Sequence, residues 1–198
     1  MNAVNAVNTK RKNSMSNSAL KITNFVWFQS IWWLVVLLQN ASIPFVIGLL
    51  VLWLVISSKR YADAILFVAI FLVGMVVDSS LTFFGIYRFD TTHQIADVPS
   101  WLIPVWLGLL WSGLAGTLLH SMTLFQGRPL IAAAGGAVFA PLSYVAGANF
   151  GAVTLGQSIL MTYVIVGAVW AFVFPAIFYV AHYVEQNVVR KKEGNRDD

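Results

Sequence analysis

From residue 22 onward the chain is a succession of apolar blocks, each about as long as a bilayer is thick, parted by short polar turns. A hydrocarbon core about 30 Å thick is crossed by about 20 apolar residues in a helix. The blocks fall at 22–39, 41–58, 61–86, 100–125, 129–148 and 156–184, the last long enough to run past the membrane. Lipid offers no partner for open backbone groups, so each block is predicted to be a helix. A barrel would need alternating strands of about ten residues, and these runs are continuous. The expected fold is an all-α polytopic transmembrane bundle of six spans. The breaks are physical: Pro44 ends the turn at 39–44 where a new helix can start, and Ser57-Ser58-Lys59-Arg60, Gln126-Gly127-Arg128-Pro129 and a Gly-rich stretch at 149–156 supply others. Residues 87–99 form the one polar loop of any length.

Composition closes off other classes. The chain is 59% hydrophobic and 10% charged, where a soluble domain is about 25% charged. Its 14 Phe, 8 Trp and 6 Tyr exclude a disordered chain. With no Cys there is no disulfide scaffold, thiolate metal site, Cys nucleophile or iron–sulfur cluster. The net charge of +4 does not mark a nucleic-acid partner, because the basic residues sit in short groups at the ends of apolar runs. The membrane itself is the expected partner.

With six spans both termini share a side. That side collects Lys10, Arg11, Lys12, Lys21, Lys59, Arg60, Arg128, Arg190, Lys191, Lys192 and Arg196, leaving only Arg88 opposite. Both termini are therefore expected in the cytoplasm. Residues 1–21, rich in Asn and Ser, read as a disordered cytoplasmic tail, 22–185 as the membrane domain and 186–198 as a charged cytoplasmic tail. A cleaved signal peptide is the rival for the start, but the polar lead is long and no clean cleavage site follows. Trp27, Trp53, Trp101, Tyr61, Tyr87 and Tyr183 fall near predicted helix ends, as an aromatic belt would.

Each ionisable group within a span is a functional candidate. Asp78, followed by Ser79 and Ser80, lies in the outer half of the third span, on a face with Gly74, Leu81, Thr82 and Gly85. It reads either as a carboxylate facing a polar cavity or as a packing group that caps a neighbouring helix or pairs with Arg88. His120 lies about one turn from the inner end of the fourth span, on a stripe with Trp106, Leu110, Gly113 and Thr117. It reads either as a proton carrier or ligand contact, or as an interhelical hydrogen bond to Gln29 or Asn24. Asp78 and His120 sit near opposite membrane faces and are not expected to meet. Asp63, His120 and His182 share the inner depth, but no His pair has three- or four-residue spacing, and no metal or cofactor is expected.

The fifth span is a small-residue helix with Gly136, Ala140, Ser143 and Gly147 on one face, predicted to be the central, tightly packed helix. Pro141 strips a donor from a carbonyl one turn back, which is expected to face a cavity. The preferred candidate site is an outer pocket of Asp78, Ser143, Tyr144 and Asn149, covered by the 87–99 loop with Arg88, Asp90, His93 and Asp97. Gln29 and His120 form a second, inner polar contact.

The segments Asn24-Phe25-Val26-Trp27-Phe28-Gln29, Asp78-Ser79-Ser80-Leu81, Pro104-Val105-Trp106 with Leu110-Trp111, Thr117-Leu118-Leu119-His120-Ser121 and Ala140-Pro141-Leu142-Ser143-Tyr144-Val145-Ala146-Gly147 resemble a bacterial inner-membrane family, domain of unknown function 2878. The likeness covers about residues 22–185, with Ala140 where the family pattern has Gly. It implies a multi-pass helical protein of the Gram-negative inner membrane, encoded near lipid-modifying and photo-oxidative-stress enzymes, and it brings no activity with it.

Three functions follow as expectations. The first is a protein that binds, or assists modification of, a lipid or other small apolar molecule. The second is a lipid-modifying enzyme with Asp78 or His120 as acid–base. The third is a small proton-coupled permease, which the lack of a visible internal repeat disfavours. Small-residue faces on the fourth and fifth spans also permit a homo-oligomer.

Overall fold

The computed structural model describes the backbone of residues 3–89 and 99–194, and side chains at 18–89 and 99–189. Its described residues form six α-helices: α1 (Ala3–Leu38), α2 (Ile43–Ile56), α3 (Arg60–Phe83), α4 (Val105–Leu118), α5 (Pro129–Asn149) and α6 (Ile159–Gly194). Two short strands, β1 (Tyr87–Arg88) and β2 (Thr154–Leu155), pair antiparallel with Tyr87 opposite Leu155. The protein is all-α apart from this ladder. Four stretches, Ser18–Ile56, Arg60–Phe83, Pro129–Asn149 and Ile159–Val189, are long and apolar enough to cross a membrane. α1 begins at Ala3, inside the segment read as a tail, and α6 continues to Gly194.

The first apolar stretch is a hairpin. The Pro44 ring would clash with the carbonyl one turn back, so α1 cannot run on through residue 40. A 3-10 turn at Gln39–Ser42 takes its place, with Gln39 at φ 45 and the Ser42 hydroxyl donating to the Gln39 carbonyl at 2.6 Å. The chain doubles back, so the Trp27 indole N–H donates to the Leu49 carbonyl at 3.1 Å. Trp27 also stacks on Trp53 with ring centres 4.9 Å apart. Both indoles are buried, as is Tyr87. These three face the bundle interior and do not belong to the expected aromatic belt, whereas Trp101, Tyr61 and Tyr183 are exposed.

α4 is the hub, packing against α1, α2, α3 and α6. Eleven of its 14 residues are buried, against five of 21 in α5, so the central helix is α4 and not the small-residue fifth block. Glycines admit its neighbours: a Cβ on Gly116 would stand 2.7 Å from the Trp27 ring, and one on Gly113 3.2 Å from Ile31. Helices approach this closely in membranes through small residues.

α4 is also shorter than its apolar block at 100–125. At 1.5 Å per residue it is about 21 Å long. Pro104 starts it, and side chains from elsewhere end it. A helix end leaves carbonyls without partners, which lipid cannot supply. Here Asn24 donates to the Gly116 carbonyl at 2.9 Å and accepts the Ser121 N–H at 3.1 Å. Gln126 donates to the Leu118 carbonyl at 2.8 Å, and Lys59 to that of Leu119 at 3.3 Å. Asn24 is fully buried. Asn24→Ala strands one carbonyl and one N–H, and is expected to cost about 2–3 kcal/mol, read as a lower midpoint of thermal unfolding in detergent.

α5 lies along α6. Gly136 sits against the Trp170 carbonyl, and a Cβ on Gly167 would stand 2.8 Å from the Ala137 carbonyl oxygen. That oxygen is the one Pro141 deprives of its helical donor. It is covered by Gly167 of α6 and does not face a cavity as its sequence position suggested.

Candidate functional site

A cavity of about 700 Å³ lies between α1, α4, α5 and α6. Its wall is mostly aromatic and aliphatic, including Phe28, Trp32, Trp106, Trp111, Phe139 and Trp170. Gln29, Ser121, Ser143 and Tyr144 bring the polar side-chain oxygens and nitrogens other than indoles. No Lys, Arg, His, Asp or Glu lines it. α1 and α5 are tied at one end only. There the Trp32 indole N–H donates to Ser143 Oγ at 2.8 Å, Gln39 donates to the Gly151 carbonyl at 3.2 Å, and Trp33 packs edge-on against Phe150. Away from these ties the wall opens: Phe25, Phe139 and Leu124 line the cavity while being 51%, 66% and 60% exposed.

Asp78 stands behind this wall, fully buried. The Tyr144 and Tyr87 hydroxyls each donate to Oδ1 at 2.6 Å, and the Trp111 indole N–H donates to Oδ2 at 2.8 Å. A buried carboxyl group persists only with its oxygens satisfied. Three elements deliver these donors. The Trp111 ring lies flat on Gly74, where a Cβ would overlap it. Gly85, at φ 70, turns the chain after α3 so that Tyr87 folds back over Asp78. The Tyr87 and Tyr144 rings stack, 4.9 Å apart and 12° from parallel. Trp111 stacks likewise on Trp170 at 4.6 Å. The Trp170 N–H, beside the Tyr144 hydroxyl, has no acceptor at bonding distance.

His120 belongs to a different cluster. Its Nε2 lies 3.1 and 3.0 Å from the two carboxyl oxygens of Asp63, and the Ser57 hydroxyl donates to Asp63 Oδ2 at 2.5 Å. The ring packs edge-on against Trp53. Neither Gln29 nor Asn24 is its partner. Nearby Lys59 pairs with Glu185 at 2.6 Å. His182 interacts with Gln186 one turn along α6, not with Asp63 or His120. No group of three or more potential metal ligands occurs among the described residues.

The structure thus joins Asp78 to Tyr144, and places Ser143, Tyr144 and Gln29 on the cavity. It leaves Asp78 one layer behind the wall, His120 outside the lining, and Asn149 exposed and also outside it. Arg88 lies in β1, while Asp90, His93 and Asp97 lie outside the described residues. Trp111, Tyr87 and Trp32 were not foreseen as polar partners. The Gly85 turn is the one local signal that could have announced Tyr87.

The family described as protein of unknown function (DUF2878) matches residues 21–176. That range includes α2–α5, most of α1 and the half of α6 that faces the cavity. No curated protein matches the chain, and no solved structure does.

Proposed function

The chain belongs to the DUF2878 family of proteins of unknown function, and on that premise we propose that it is an integral protein of the bacterial inner membrane that takes a lipid, or another small apolar molecule, sideways from the bilayer. The cavity carries this reading. At about 700 Å³ it is within the usual range for ligand pockets, about 300–1,000 Å³. Its mouth is framed by residues that are at once lining and outward-facing, so the entrance opens toward acyl chains. Six crossings fit this arrangement, with α4 spanning its short length inside the other helices. The basic residues put both chain ends in the cytoplasm.

A lipid-modifying reaction is the second reading. Tyr144 favours it, because its hydroxyl both belongs to a cavity-lining residue and bonds Asp78. Any acid–base step at Asp78 would run through that hydroxyl.

The test is solvent extraction of detergent-purified protein followed by mass spectrometry. One class of apolar compound is expected in near-stoichiometric amount. It should fall to background in Ala140→Trp, whose indole fills the space. An identical lipid profile from both proteins would contradict the reading.

A further inference from the structure

The hydrogen bonding on the cavity wall narrows the ligand to a neutral lipid alcohol. This inference rests on the cavity being a ligand site and goes on to name what it selects. With no charged side chain on the lining, an anionic head group would enter without a counter-charge, at a cost far above that of a neutral group. Phosphates and free fatty carboxylates are therefore disfavoured. Two neighbouring residues then define a polar spot. Ser143 Oγ accepts the Trp32 indole N–H and keeps its own proton to give. The Tyr144 hydroxyl gives its proton to Asp78 and keeps its lone pairs. One site thus offers a donor and an acceptor side by side, and a hydroxyl is the group that both accepts and donates. An ester or ketone would satisfy Ser143 alone, and an alkane neither.

We infer that the cavity holds a long-chain or polycyclic alcohol, its hydroxyl between Ser143 and Tyr144 and its hydrocarbon along the aromatic wall toward Phe125. Trp32, Trp106, Trp111 and Trp170 on that wall make binding readable by fluorescence. The experiment titrates the purified full chain with chain-brominated hexadecanol, hexadecane and hexadecanoic acid, each a quencher of tryptophan. Two added hydrogen bonds predict that the alcohol binds about tenfold more tightly than the alkane, and more tightly than the acid at a pH where the acid is ionised. The alcohol-to-alkane ratio should fall toward one in Ser143→Ala and in Tyr144→Phe. Equal binding of alcohol and alkane overturns this inference and leaves the apolar cavity standing, as does tighter binding of the acid. Absence of quenching by all three overturns the cavity reading itself. The comparison on the unmodified chain decides even if neither variant folds.

Discussion

Asp78→Ala is expected to be the most destabilising single change in the membrane region. It removes both acceptors of a fully buried network and strands the Tyr87 hydroxyl, the Tyr144 hydroxyl and the Trp111 N–H at once. An unsatisfied buried donor costs about 1–3 kcal/mol, so three together should remove about 3–5 kcal/mol after relaxation. The network joins α3, α4, α5 and the β1 segment, and its loss should loosen all four together. Asp78→Asn keeps the size but points an amide N–H₂ at donors, since an indole N–H cannot accept. It should fall between wild type and Asp78→Ala. Thermal unfolding in detergent, followed by helical circular dichroism, measures both. Near-wild-type stability of Asp78→Ala would show that the carboxyl group does not organise this region, and would return it to a purely functional role.

Gly136→Val is the second large effect. Here the neighbour is backbone: a Cβ would run into the Trp170 carbonyl and lie 2.7 Å from the Phe174 Cβ. No flexible side chain can swing aside, so α5 and α6 must separate. Overpacking of this kind costs about 1–3 kcal/mol, and more where backbone has to move. Because α5 and α6 form the far wall of the cavity, the variant should also lose bound ligand. Gly48→Val is the matched control, since nothing lies within 4 Å of a Cβ at that position. Stability and retained ligand are measured on the same preparations. Equal behaviour of the two variants would mean that the α5–α6 seam is not as tight as drawn.

What the sequence announced was the broken rhythm of its apolar blocks, which gave the helices and the hairpin at Pro44. It also gave Asp78, because a carboxyl group is conspicuous among aliphatic residues, and the Ser143–Tyr144 pair beside the Pro141 kink. Its limits have identifiable causes. The flanks of α4 contain Trp101, Leu102, Ile103, Leu119 and Met122, as apolar as the helix itself. Nothing local shows that helix stops there, because the partners for its last carbonyls come from Asn24, Lys59 and Gln126. The donors on Asp78 were hidden for the same reason. Trp111 is 33 residues away and Tyr144 66, and only packing of α3 on α4 and α5 on α6 brings them in. Trp27 and Trp53 stood at the depth of an interface, but depth does not fix which way a ring faces. The mutual stacking of the two indoles in the α1–α2 hairpin does. The same blindness to direction made the fifth block look central, when its small residues serve one partner helix and one cavity wall.

The claim on which the rest depends is that the cavity holds its own ligand and not whatever lipid surrounds the protein. Photocrosslinking in native membranes addresses it directly. Benzoylphenylalanine replaces Phe139, which lines the cavity at its mouth, or Phe172, which is 80% exposed on α6 and outside the lining. After irradiation and intact-mass measurement, position 139 should give one dominant adduct mass from a neutral apolar compound, and position 172 the mixed adducts of bulk phospholipid. The same phospholipid pattern at both positions would contradict the account.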